Sequence, residues 1–122
     1  MPELKKILII DDTKPIRILL LKKFEKKYDC ILCRNGKEGI QFLNETDQEI
    51  SLIIIDYMMP VMDGQQTMKL IRVFNKDVPV FVLSSTLNRE RVFDLKKLGV
   101  SKFFAKPVHI NRLVKEVKKL LG

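Results

Sequence analysis

Three apolar stretches of the chain, and a fourth segment around Phe103-Phe104, each run directly into residues that can hold charge or donate a hydrogen bond. Ile7-Leu8-Ile9-Ile10 ends in Asp11-Asp12, and Leu52-Ile53-Ile54-Ile55 ends in Asp56. Val80-Phe81-Val82-Leu83 ends in Ser84-Ser85, and Val100 to Ala105 ends in Lys106-Pro107. Taken singly, each ending has an ordinary explanation. Acid and serine pairs serve as turn or cap residues, and a Lys-Pro pair makes a loop. Brought to one edge, they form a chemical set. Two unit charges about 4 Å apart interact by about 4 kcal/mol at an effective dielectric of about 20. Crowded carboxylates therefore need a positive charge beside them. A divalent cation with oxygen ligands supplies it, and Mg2+ completes its shell with waters and phosphate oxygens. Hydroxyl and ammonium donors suit the other phosphate oxygens. The set implies a metal-bound phosphoryl group, and a carboxylate can itself be the nucleophile and form an acyl phosphate. An ionised acceptor needs no general base. The one histidine, His109, follows Lys106-Pro107 and reads as a cap or surface residue.

The elements that must position these residues follow from hydrophobic pattern. A continuous aliphatic run suits a strand buried on both faces, as in a parallel sheet. Pro60 stops the run through Asp56 from continuing as a central strand. Thr13 to Lys27 has helical spacing at Ile16, Leu19, Leu20 and Phe24, with Thr13 as N-cap and Pro15 in the first turn. Cys30 to Cys33 is a second strand, Asn35-Gly36 breaks the chain, and Lys37 to Asn44 is a short helix burying Ile40 and Leu43, with Phe42 at its edge. Asp63-x-x-Gln66 is a capping box opening a helix with Met68, Ile71 and Phe74 inside. Asn88 to Leu98 buries Val92, Leu95 and Leu98, and Gly99 fits the left-handed position after it. Ile110, Leu113, Val114, Val117, Leu120 and Leu121 define the last amphipathic helix. Strand and helix alternate five times. This predicts an α/β fold, a doubly wound (βα)5 parallel sheet with helices on both faces. All strand C-termini then share one edge, where open α/β sheets bind ligands.

Composition narrows the classes. The 122 residues suit one domain, 1–122, with one core. No apolar run approaches the roughly 20 residues needed to span a bilayer. The first residues lack the parts of a secretory signal, so the expected location is cytoplasmic, with no membrane contact. The net charge is +8. The lysines are scattered and no aromatic residues interleave with them to stack bases, so direct nucleic-acid binding is not expected. Cys30 and Cys33 stand on a strand with an odd separation and point to opposite faces. They read as reduced core residues rather than a redox or metal pair.

The ordered set of motifs resembles a receiver domain of bacterial two-component response regulators, over about Lys6 to Leu121. Its carriers are Ile9-Ile10-Asp11-Asp12, Asp56-Tyr57-Met58-Met59-Pro60-Val61-Met62-Asp63-Gly64, Val82-Leu83-Ser84-Ser85, Leu98-Gly99-Val100 and Phe103-Phe104-Ala105-Lys106-Pro107. The resemblance implies the flavodoxin-like strand order 2-1-3-4-5. It implies that Asp56 is the phosphoacceptor. Asp11, Asp12, Asp56 and the backbone carbonyl of Met58 would hold Mg2+, with Mn2+ able to replace it. Ser84 takes the hydroxyl switch position and Phe103 the aromatic one, here without a phenol hydroxyl. Lys106 would pair with Asp56 and later with the phosphoryl group, with the Lys106-Pro107 peptide cis. Thr13 stands where many members carry a third acid. Met58 and Thr86 occupy variable positions that influence acyl-phosphate hydrolysis.

The implied activity is a phosphorelay switch, not an enzyme beyond self-catalysed phosphotransfer to Asp56 and slow autodephosphorylation. A histidine kinase or histidine phosphotransfer protein would be the donor. The fourth helix, fifth strand and fifth helix would present the change to a downstream effector protein, and their lysines and arginines favour an acidic partner. The stand-alone, chemotaxis-regulator-like form is expected. The alternatives are a receiver excised from a larger regulator or hybrid kinase, or a phosphorylation-silent interaction module. A haloacid-dehalogenase-like phosphatase would want a second Asp where Met58 stands. A flavodoxin-like cofactor binder would want a hydroxyl- and glycine-rich loop where Asp11-Asp12 stand.

Overall fold

Uninterrupted aliphatic strands have no polar face to offer water, so they must be covered on both sides. The computed structural model describes residues 3–122 and shows this arrangement. In chain order the elements are β1 (Lys6–Ile10), α1 (Lys14–Phe24), β2 (Asp29–Cys33), α2 (Gly36–Glu45) and β3 (Leu52–Asp56). They continue as α3 (Gly64–Phe74), β4 (Val80–Ser84), α4 (Arg89–Lys97), β5 (Val100–Ala105) and α5 (Ile110–Leu121). The five strands form one parallel sheet in the order β2-β1-β3-β4-β5.

Side chains alternate across the sheet, as strand geometry requires. Leu8, Ile10, Ile53, Ile55, Val80 and Val82 face Met68, Ile71 and Leu95, under α2, α3 and α4. Ile7, Ile9, Leu52, Ile54, Phe81 and Leu83 face Leu20, Phe24, Leu113 and Val117, under α1 and α5. Cys33 packs in the first layer and Cys30 against the second, on opposite faces as the odd spacing predicts. Burial pushes both thiols up to about 11, with neighbouring acids adding, so they stay protonated and make poor ligands.

Backbone hydrogen bonds carry the parallel ladder past the strand ends. Asp11 N–H donates to the Cys33 carbonyl (3.1 Å), Tyr57 N–H to Leu83 (2.9 Å) and Lys106 N–H to Ser84 (3.0 Å). These bonds fix the residues after β1, β3 and β5 on one edge.

Helix periodicity was less reliable at its margins. Leu19, Phe74 and Leu120, expected inside, are 40%, 42% and 42% exposed. The layer over the sheet is one helix face deep, and Leu20, Ile71 and Leu121 already fill it. The first helix ends at Phe24 rather than Lys27, where Glu25 caps it and Tyr28 turns into the core. The second helix begins at Gly36, with the Asn35 side chain accepting from Glu38 N–H (2.8 Å). The predicted capping box is present: Gln66 N–H donates to Asp63 Oδ1 (2.8 Å) and Asp63 N–H to Gln66 Oε1 (3.0 Å).

Candidate functional site

Asp56 is the last residue of β3, the central strand, with β1 on one side and β4 on the other. Its position carries a buried carboxylate to the C-terminal edge, where it is 2% exposed. Asp11 follows β1 and is 1% exposed, whereas Asp12 next to it faces solvent. One carboxylate oxygen from each of Asp11, Asp12 and Asp56 lies within 4.8 Å of the others. Lys106, after β5, places Nζ 2.9 Å from Asp56 Oδ2 and 3.8 Å from Asp11 Oδ2. The Lys106-Pro107 peptide is cis, as the resemblance implied.

One ammonium does not balance this set. Burial pushes the Asp56 carboxyl up to about 6 from its ordinary 3.8. The Lys106 ammonium opposes the shift, while the Asp11 charge and the neighbouring Asp12 carboxyl add to it. Asp11 Oδ1 accepts from both the N–H and the hydroxyl of Thr13, each at 2.8 Å. Asp11 Oδ2 and Asp56 Oδ1 are buried with no hydrogen-bond partner among the described residues. Buried polar atoms are ordinarily satisfied, so two orphaned carboxylate oxygens on neighbouring residues call for a cation. All the side-chain donors are hard oxygens, the chemistry Mg2+ and Mn2+ prefer. The residues present fit such an ion.

The other predicted residues take distinct places. Met58 lies two positions after Asp56 in the loop, with its side chain 54% exposed. Its side chain is thus outside the cluster, and the role expected of it concerns the carbonyl alone. Ser84, at the end of β4, is 1% exposed. Its Oγ accepts from Thr86 N–H (3.1 Å) and lies 3.4 Å from Thr86 Oγ1, so this oxygen is held beside Thr86. Phe103 is half-buried, pairs with Val82 across the sheet and packs on the α3 and α4 side. His109 stands at the start of α5, exposed and without a side-chain capping bond.

Three contacts at this edge lay beyond the sequence reading. Thr13 precedes α1 but makes no capping bond, because its hydroxyl is spent on Asp11. Arg17 reaches back from α1 to the Asp11 carbonyl (Nη1 to O, 2.7 Å). Arg91, in the first turn of α4, lies over the Tyr57 ring, 4.1 Å from its centroid, and donates to Thr86. A cation one to two helical turns beyond an acidic strand end was the available signal for Arg17. No local pattern pointed to Arg91.

Comparison with known proteins agrees with this geometry. The model of the response regulator receiver domain family matches residues 7–118. The chain is 32% identical to sporulation initiation phosphotransferase F of Bacillus subtilis, across 96% of this chain and 94% of that protein. It is 27% identical to the transcriptional regulatory protein CpxR of Escherichia coli, across 97% of this chain but 50% of that protein. It thus spans nearly all of one curated relative and about half of another. A solved structure of a response regulator receiver protein from Pseudomonas putida superposes with a TM-score of 0.87 at 26% identity, covering 98% of this chain and 99% of that one.

Proposed function

The chain belongs to the response regulator receiver domain family, and from that premise we propose that Asp56 is its phosphoacceptor. It is a receiver domain of two-component signalling, a switch rather than a classical enzyme. In the proposed reading, residues 1–122 act as one receiver domain in the cytoplasm. The donor is a histidine kinase or histidine phosphotransfer protein carrying a phosphoimidazole.

The Asp56 carboxylate attacks phosphorus. A P–O bond forms as the P–N bond breaks, and the electron pair of that bond returns to the imidazole nitrogen. Mg2+ or Mn2+, held by Asp11, Asp12, Asp56 and the Met58 carbonyl, would supply positive charge against the phosphoryl oxygens. Lys106 holds the Asp56 carboxylate at 2.9 Å before transfer and pairs with the phosphoryl group after it. The Ser84 hydroxyl exchanges Thr86 for a phosphoryl oxygen, and Phe103 turns inward beside it. The shift is presented on α4, β5 and α5 to an effector protein. Arg89, Arg91, Lys96, Lys97, Lys102, Lys115, Lys118 and Lys119 on these elements favour an acidic partner.

The observation that carries the reading is the pair of buried, unpartnered oxygens on Asp11 and Asp56 beside a single ammonium. Incubation with acetyl phosphate and Mg2+ should add the mass of one phosphoryl group, and Asp56→Asn should abolish the gain. Beryllofluoride with Mg2+ should shift amide resonances at the Asp56 edge. An unchanged mass and an unchanged spectrum would overturn the reading.

A further inference from the structure

Residues 85–88 join β4 to α4, and the contacts on them form a chain from the site to the helix. Thr86 N–H donates to Ser84 Oγ (3.1 Å). The Thr86 carbonyl and hydroxyl oxygens both accept from Arg91 Nη1. The Arg91 guanidinium lies over Tyr57, with Cζ 4.1 Å from the ring centroid. Tyr57 directly follows Asp56, is 6% exposed, and bonds through its N–H to the Leu83 carbonyl (2.9 Å). Arg91 is itself held in place, because its N–H donates to the Asn88 cap (2.8 Å). It makes no ion pair within 4 Å among the described residues, so its side chain is committed to Thr86 and Tyr57.

We infer that Arg91 is a latch: a positioning residue that holds residues 85–88 in the unphosphorylated arrangement and limits how readily the Ser84 hydroxyl reaches a phosphoryl group. The inference rests on Asp56 being the phosphoacceptor. Any displacement of Ser84 Oγ toward a phosphoryl oxygen draws it off Thr86, whose N–H it accepts and whose hydroxyl lies 3.4 Å away. Arg91 opposes that loosening by anchoring Thr86 through two oxygens and anchoring itself on the Tyr57 ring. An interaction made only in one of two states biases the equilibrium toward that state. Release would also free the guanidinium at the start of α4, so a change at Asp56 alters where that helix presents a positive charge. The position on α4 makes Arg91 a link between the site and the proposed effector face.

The test is a beryllofluoride titration at saturating Mg2+, followed by amide NMR, on the wild-type chain, Arg91→Ala and Arg91→Lys. Loss of the Thr86 bonds and the ring contact should tighten beryllofluoride binding about three- to tenfold in Arg91→Ala. Arg91→Lys keeps the charge and stem but loses the planar fork, so it should fall between the two. Mg2+ affinity without beryllofluoride should be unchanged, because Arg91 touches none of the carboxylates. Damage to the fold weakens ligand binding, so tightening is a readout that a merely structural role would not give. If Arg91→Ala folds poorly by circular dichroism, the Lys variant carries the test. Wild-type binding with equal or weaker binding in the variants would overturn the latch alone. A wild-type chain that ignores beryllofluoride would overturn both the latch and the phosphoacceptor assignment.

Discussion

Asp56 is kept where water would not keep it. Its carboxyl is raised to about 6 because burial disfavours the anion more than Lys106 favours it. An acid whose folded pKa lies above its unfolded value binds more protons when folded between the two. The metal-free chain should therefore be most stable below about pH 4 with respect to this group. It should lose stability as the pH rises toward about 6, and the loss should level off above about pH 7. Two pKa units correspond to about 3 kcal/mol. Urea unfolding in EDTA across this range should show the decline, and Asp56→Asn should flatten it. At pH 7.5 in EDTA the Asn variant should melt higher, by about 10 °C. A lower melting temperature would mean that the Lys106 pair outweighs the burial and the neighbouring acids. The buried Asp11 was legible as an acid at a strand end. Its anchoring by Thr13 was not, since a threonine before a helix reads first as a cap.

The elements are joined by contacts that their own periodicity does not encode. Arg72, near the end of α3, donates to four carbonyls: Leu98 (2.6 Å), Val78 (2.9 Å), Asn75 and Gly99 (each 3.1 Å). It ties the end of α3 to the approach to β4 and to the turn between α4 and β5, at the sheet edge opposite the site. Gly99 has φ +89°, and a Cβ there would lie 2.8 Å from Arg72 Nη2. The turn thus needs glycine both for its backbone and to admit the guanidinium. Arg72→Ala should strand carbonyls and destabilise by about 2 to 3 kcal/mol, read as a lower urea midpoint at constant m. Asp63→Ala removes one half of the capping box and should cost about 1 kcal/mol. Neither change touches the carboxylate cluster, so phosphorylation by acetyl phosphate should persist in both.

At the level of the whole molecule, five parallel strands put acids, hydroxyl and ammonium on one edge because every strand ends there. Mg2+ that binds the folded cluster alone should raise the melting temperature, by about 2.7 kcal/mol of stability at a concentration about 100 times its Kd. Asp56→Asn should remove most of that gain, as followed by thermal melts with and without the ion. Continuous apolar runs, the alternation with amphipathic helices and the placement of Asp11, Asp12, Asp56, Ser84 and Lys106 at run ends were all local in sequence. They therefore determined the parallel-sheet class, the edge that carries the site and its chemistry. Other features depend on groups that meet only when the layers close. Closure decided that Leu19, Phe74 and Leu120 stay outside a helix layer already filled. It also left one oxygen each of Asp11 and Asp56 without a partner among the described residues, turned the Ser84 hydroxyl toward Thr86, and brought Arg91 onto Tyr57. Burial and the reach of long cationic side chains are properties of the packed chain, and hydrophobic spacing carries no record of them.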